Sequence, residues 1–235
     1  MPFREPSVEA ARLALENGPD SFIWWSWVGD NIDLIVELLI EHLYLTIVAV
    51  VGGILIGIPL ALVAWRRPRS RNALLGTAGV LYTIPSIAML FLLGPITGFT
   101  TQLTVVVTLT IYTLLIIMRN VITGLEGVPA EAVEAATGMG YSGRGLLWGV
   151  ELPLAMPSIL AGIRIATVTT IGLVTLGALV THGGLGELIL DGINRSFSTP
   201  LVVGSVLSVL LAVLADFLLR RLERALTPWN TRAAT

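Results

Sequence analysis

Apolar residues along this chain run in five long blocks with short polar breaks between them. The blocks fall at about 43–64, 73–94, 102–118, 157–180 and 200–219. Each is near the roughly 20 residues a helix needs to cross a hydrocarbon core about 30 Å thick. The pattern predicts an all-α polytopic membrane protein with a core of five helices. Pro85 interrupts the second block and predicts a kink, which a membrane helix tolerates where neighbours satisfy the freed carbonyl. The first block carries Gly53 and Gly57 at a spacing that permits close helix approach, though spacing this common singles out no particular interface. Residues 1–20 lack a basic stretch followed by an apolar one, so no signal peptide is expected there. They predict a short polar helix from about Val8 to Glu16, ended at Asn17-Gly18.

Composition agrees. Only 13% of the 235 residues are charged and mean hydropathy is +0.85, against about 25% charged in soluble domains. There is no cysteine, which excludes disulfides, thiolate metal sites and cysteine nucleophiles. All 14 basic residues are arginine. A Walker A loop needs a lysine to reach the β- and γ-phosphates, so any ATP dependence must come from a separate subunit. His42 and His182 stand in no ligand-spacing motif, and no metal is assigned to them. No nucleophile–base arrangement or dinucleotide fingerprint is present. Neither catalysis nor nucleic-acid binding is expected.

Arginine bias sets the expected orientation. Arg66, Arg67, Arg69 and Arg71 follow the first block, Arg119 and Arg144 the third, and Arg220, Arg221, Arg224 and Arg232 the last. The alternate side has only Arg4, Arg12 and Arg195. This places the N-terminus outside and the C-terminus inside. Residues 1–40 then form an acidic extracytoplasmic segment, 41–228 the transmembrane domain and 229–235 a cytoplasmic tail. Trp24, Trp25 and Trp27 precede the first span and suit an interfacial aromatic belt; the competing reading is a cation-binding aromatic cage. Asp33, Glu37 and Glu41 recur every four residues and predict one polar helical stripe facing water or headgroups.

The longest inner connection is 119–153. Pro129 suits a first helical turn, and Ala130 to Thr137 are mostly strong helix formers. Gly138 and Gly140 should stop that helix. At about two turns it is too short to stand alone and must pack against something. Ala132, Ala135 and Ala136 give a smooth face, while Glu131 and Glu134 offer charge to a basic partner. Ser142 is placed to cap a second short helix over 143–151, and Pro153 to mark the turn into the fourth span. Helix physics alone leaves two readings: an ordinary interfacial helix, or a plug for a cleft on another subunit.

The spacing Glu134-Ala135-Ala136, Gly140, Leu152-Pro153 resembles the EAA coupling loop of ABC importer permeases. Further stretches are similar to the glycine betaine/choline (osmoprotectant) branch of type I importers: Ile84-Pro85-Ser86, Arg119-Asn120, Gly162-Ile163-Arg164 and Gly183-Gly184-Leu185-Gly186. The resemblance covers about residues 40–228. It departs at Ile116, where that branch usually has a nearby proline, and at Thr181-His182, where it usually has Gly-Ala. The first departure bears on the shape of the third span, the second on the outer gate.

The resemblance implies a transport subunit in the inner membrane of a prokaryote, with no cofactor of its own. ATP and Mg would be used by a partner ATPase. A second permease copy or paralogue and an extracytoplasmic solute-binding protein would complete the assembly. Glu131, Glu134, Ala135, Ala136, Gly140, Leu152 and Pro153 would couple to the ATPase. Gly183, Gly184, Leu185, Gly186 and Glu187 would lie at the outer gate or meet the binding protein, with Asp191 on the face of Glu187. The implied cargo is a small quaternary ammonium solute. Tyr82 and Ser86, spaced to share a helix face, are pathway candidates with Pro85 and Tyr112. Arg164 and Asp216 lie at similar depths and would relieve each other's charge in a bilayer. Two alternatives stand: a permease of the same type for another small solute such as an amino acid, and an ATP-independent secondary transporter or channel.

Overall fold

The computed structural model describes residues 22–180 and 182–229; the helix expected near Val8–Glu16 and Thr181 lie outside them. Among the described residues all regular structure is helical. A short helix α1 (Trp25–Asp30) leads into α2 (Ile32–Arg66), and α3 (Pro68–Thr83) and α4 (Ser86–Thr97) follow. Next come α5 (Gln102–Glu126), α6 (Ala130–Gly138) and α7 (Gly143–Leu146). A π turn, Leu147–Glu151, joins α7 to α8 (Leu152–Val174); a 3₁₀ segment, Thr175–Val180, then leads to α9 (Leu185–Asn194) and α10 (Ser198–Leu226).

Four helical runs are long and apolar enough to cross a membrane, five if the bent α3–α4 pair counts as one span. At 35 residues and 1.5 Å per residue, α2 is about 52 Å long, so its acidic first turns extend beyond the hydrocarbon. Helix α5 is the centre of the bundle. It buries residues along its whole length, from Thr104 to Leu125, between α2 and α8. It runs unbroken through Ile116, whose carbonyl accepts from the Asn120 side-chain amide at 2.8 Å. Gly53 sets how closely α2 approaches: a Cβ there would collide with the Thr113 side chain. Ser158 donates to the Asn120 carbonyl at 2.9 Å and Gly162 lies against the Asn120 side chain, which joins α8 to α5.

Three expectations change. The kink at Pro85 is a break of 100° between α3 and α4. Pro85 has no N–H to continue the ladder and disfavours helical backbone at Ile84, which is extended with ψ 128°. Tyr82 and Ser86 therefore sit on different helices and do not share a face. Pro153 marks no turn: helical structure continues from Gly143 to Val180, with Pro153 in the first turn of α8. The π turn just before it widens the spiral where the proline cannot donate. The polar stripe also divides. Asp33 and Glu37 are exposed, but Glu41 turns inward with its side chain only 15% exposed.

Candidate functional site

Pro129 caps α6 and Gly140, at φ +83°, reverses the chain after it, a conformation that side chains with a Cβ resist. The alanine face is split. Ala136 is buried and Ala132 half-buried against the protein's own body, while Glu131, Glu134 and Ala135 are exposed. Ser142 caps the next helix, accepting from the Gly145 N–H at 3.2 Å. Leu152 is buried under this loop. The loop also exposes Met139, Tyr141 and Trp148, at 71, 47 and 68%. These three apolar side chains on a polar loop were not singled out from sequence. Their signal was available: large apolar residues flanking a charged helix make an exposed patch of the kind that binds partners. Arg71 pairs with Glu126 at 2.5 Å, tying α3 to the end of α5 beside this loop.

Glycines 183, 184 and 186 pack too closely for any side chain. A Cβ on Gly184, which has φ +51°, would meet the His42 backbone, and one on Gly186 would meet Thr175. With Leu185 they are buried, so what they form is a seam between α2, the 3₁₀ segment and α9 rather than a surface. His42, fully buried beneath it, donates from Nε2 to the Ile171 carbonyl at 3.0 Å. Asp191 points to Arg195 at 2.7 Å.

Glu187 is half-buried beside this seam. Burial, reinforced by the Glu41 and Glu37 carboxylates, pushes its carboxyl above the ordinary range, against the opposing pull of the Gly183 N–H and His182. Near it, His182 Nδ1 lies 2.7 Å from Glu41 Oε1 and Nε2 lies 3.0 Å from the Thr100 carbonyl.

The Tyr82 and Tyr112 rings meet at 5.6 Å, tilted by 60°, beside the α3–α4 break. Tyr112 is buried and its hydroxyl donates to the Ile84 carbonyl, one of the groups the break frees. Tyr82 is 39% exposed and Pro85 is exposed with it. Between α8 and α10, Arg164 Nε lies 3.1 Å from Asp216 and its Nη1 2.8 Å from Glu223. Asp216 also pairs with Arg220. Glu223 was missed from sequence, although it lies two turns beyond Asp216 on the same helix. Trp24 and Trp27 pack edge-on against Phe197, while Trp25 is 74% exposed. The three rings do not enclose a cage.

Residues 53–228 match the family described as binding-protein-dependent transport system inner membrane component. The chain belongs to this family. As such a permease it is a transport component of an ABC importer in a prokaryotic inner membrane, and a separate ATPase hydrolyses the ATP. Family membership also implies a solute-binding protein as partner. Among its curated relatives is the glycine betaine/carnitine/choline transport system permease protein OpuCB of Bacillus subtilis. That protein is 37% identical over 80% of this permease and 86% of its own length. The osmoprotectant import permease protein OsmW of Salmonella typhimurium is 38% identical over 86% and 96%. Among solved structures, a chain of the MetNI methionine ABC transporter in an inward-facing conformation matches with a TM-score of 0.77. It is 27% identical over 84% of this permease and 98% of that chain.

Proposed function

We propose that this permease imports small quaternary ammonium solutes such as glycine betaine, choline or carnitine. The observation that carries the reading is the likeness to OpuCB and OsmW over at least four-fifths of the chain. The Tyr82–Tyr112 pair supports it chemically, because an aromatic face attracts a cation that has shed its water. In this reading the break at Pro85 lies on the pathway. The N-terminus is outside, as the arginine distribution favours, and a second copy or a paralogue completes the channel.

Helix α6 is the coupling element. Its exposed Glu131, Glu134 and Ala135, with Met139, Tyr141 and Trp148 around it, meet the ATPase. ATP binding closes the ATPase pair and moves both coupling helices. The permease then switches from inward to outward opening, and hydrolysis resets it. The ATPase drives this switch only through its different affinity for ATP in the two states. The seam at Gly183–Gly186 anchors the outer end, where the binding protein delivers solute. A second reading, transport of an amino acid, draws on the likeness to the methionine transporter chain.

The test is ATP-dependent uptake of labelled glycine betaine and choline into proteoliposomes holding the permease, its ATPase and its binding protein. Glu134→Arg serves as the comparison. Uptake that the variant abolishes in an intact complex supports both coupling and cargo. Solute-stimulated ATP hydrolysis with neither compound carried discards the cargo. Uptake without the ATPase discards the mechanism.

A further inference from the structure

Among the described residues, Glu41, His182 and Glu187 are the one group whose imidazole and carboxylate ligand atoms converge, all lying within 4.8 Å of one another. They come from the first turns of α2, the segment before the glycine seam and the start of α9, so no sequence spacing announces them. Glu41 and His182 have no role in the transport reading, and Glu187 enters it only as a residue at the outer turn. We propose that Glu41, His182 and Glu187 form a binding site for a divalent transition-metal ion of the Zn²⁺ class, which clamps the outer turn to α2.

Four observations support the site. First, His182 Nε2 donates to the Thr100 carbonyl at 3.0 Å. With that nitrogen carrying its proton, Nδ1 faces the carboxylates and is the ring's metal-binding atom. Metal-binding histidines are commonly oriented by such a bond from the other nitrogen. Second, both carboxylates are themselves held. The Gln102 amide donates to Glu41 Oε1 at 3.2 Å, and the Gly183 N–H to Glu187 Oε1 at 3.5 Å. Third, the charge is unbalanced. Two carboxylates and one imidazole converge within 4.8 Å, so a divalent ion between them offsets the repulsion of the two carboxylates. Fourth, all three side chains are half-buried, and His182 and Glu187 lie outside the long apolar segments. Water can reach the ion and complete its coordination.

One imidazole and two carboxylates make a three-ligand set that suits Zn²⁺ and leaves a position for water. Without the ion, a proton between Nδ1 and Glu41 Oε1 holds the 2.7 Å contact. Metal replaces that proton and draws Glu187 inward, because ligands about 2.0–2.2 Å from one ion must lie closer together than 4.8 Å. The ion therefore tightens the turn rather than filling a rigid cage.

The chain makes the test clean. It has no cysteine and two histidines, and His42 is fully buried, so His182 is its one accessible imidazole. The full-length permease, purified with its ATPase and freed of any affinity tag, is equilibrated with Zn²⁺. Bound metal is counted by elemental analysis and thermal unfolding is followed with and without the ion. The expected result is about one Zn²⁺ per permease and a higher unfolding temperature. His182→Ala and Glu187→Gln should each lower affinity at least tenfold, and Zn²⁺ should no longer raise the unfolding temperature of either variant. Should His182→Ala fail to assemble, Co²⁺ absorption of the wild-type complex reads the same site, and Glu187→Gln must alter that spectrum. Zn²⁺ binding of equal strength with and without His182 overturns the proposal. So does a wild-type protein whose stability varies with pH but does not respond to Zn²⁺, which would make His182 a proton-held ion pair.

Discussion

Arg164 and Glu223, 59 residues apart, meet at 2.8 Å, and the same guanidinium reaches Asp216 at 3.1 Å. One side chain on α8 thus gathers two acids that stand two turns apart on α10. Asp216 has a second partner in Arg220, whereas Arg164 is the basic partner that holds Glu223. Arg164→Ala should cost about 2 kcal/mol, below the 3–5 of a fully buried pair because all three groups keep some exposure. In double-mutant cycles on the unfolding of the purified complex, Arg164 should couple more strongly to Glu223 than to Asp216. Additive losses in both cycles would remove the cluster from the account.

Of the glycines through which α2 meets α5, Gly53 leaves the least room for a Cβ. Gly53→Ala puts a methyl group into the Thr113 side chain and should destabilise the protein by about 1–3 kcal/mol. Combining it with Thr113→Gly should recover part of that loss. A Gly53→Ala protein with an unchanged unfolding temperature would mean that the two helices separate freely at this point.

The two tyrosines should behave differently. Tyr112 is buried and holds the Ile84 carbonyl, so Tyr112→Phe should cost about 1 kcal/mol of stability. Tyr82 is exposed at the break, so Tyr82→Ala should leave stability within about 0.5 kcal/mol while lowering the rate of solute uptake several-fold. Unaltered uptake by Tyr82→Ala would take this ring off the pathway.

Orientation can be read by labelling, because the chain has no cysteine to remove first. In sealed right-side-out vesicles, Asp33→Cys should react with an impermeant maleimide. Glu131→Cys should react only after the membrane is opened. Both positions are exposed. The reverse pattern would invert the proposed topology.

Much of the architecture was visible because a bilayer demands long apolar runs, and little else in a sequence looks like them. The stop of α6 was visible for the same kind of local reason, since two glycines end a short helix. What escaped depends on distant chain. The i, i+4 pattern of Asp33, Glu37 and Glu41 cannot show that a turn 141 residues later covers only the last of them. Tyr82 and Ser86 have the spacing of one helix face, but that rule presumes unbroken helix, and Pro85 between them breaks it. Pro153 was read as a boundary because proline usually disfavours helix; here a π turn absorbs the missing donor. Glu223 was within reach, since seven residues, two helical turns, put it on the same helix face as Asp216.

The uninterrupted run from Gly143 to Val180 has a mechanical consequence. Its 38 residues span about 57 Å, from the segment just after α6 to the glycine seam. Treated as a stiff rod pivoting at one tip, it turns a tilt of about 5° into a sideways travel of about 5 Å at the other. A small tilt at the loop end thus reaches the glycine seam as a movement of several ångströms, with no relay of side-chain rearrangements between them.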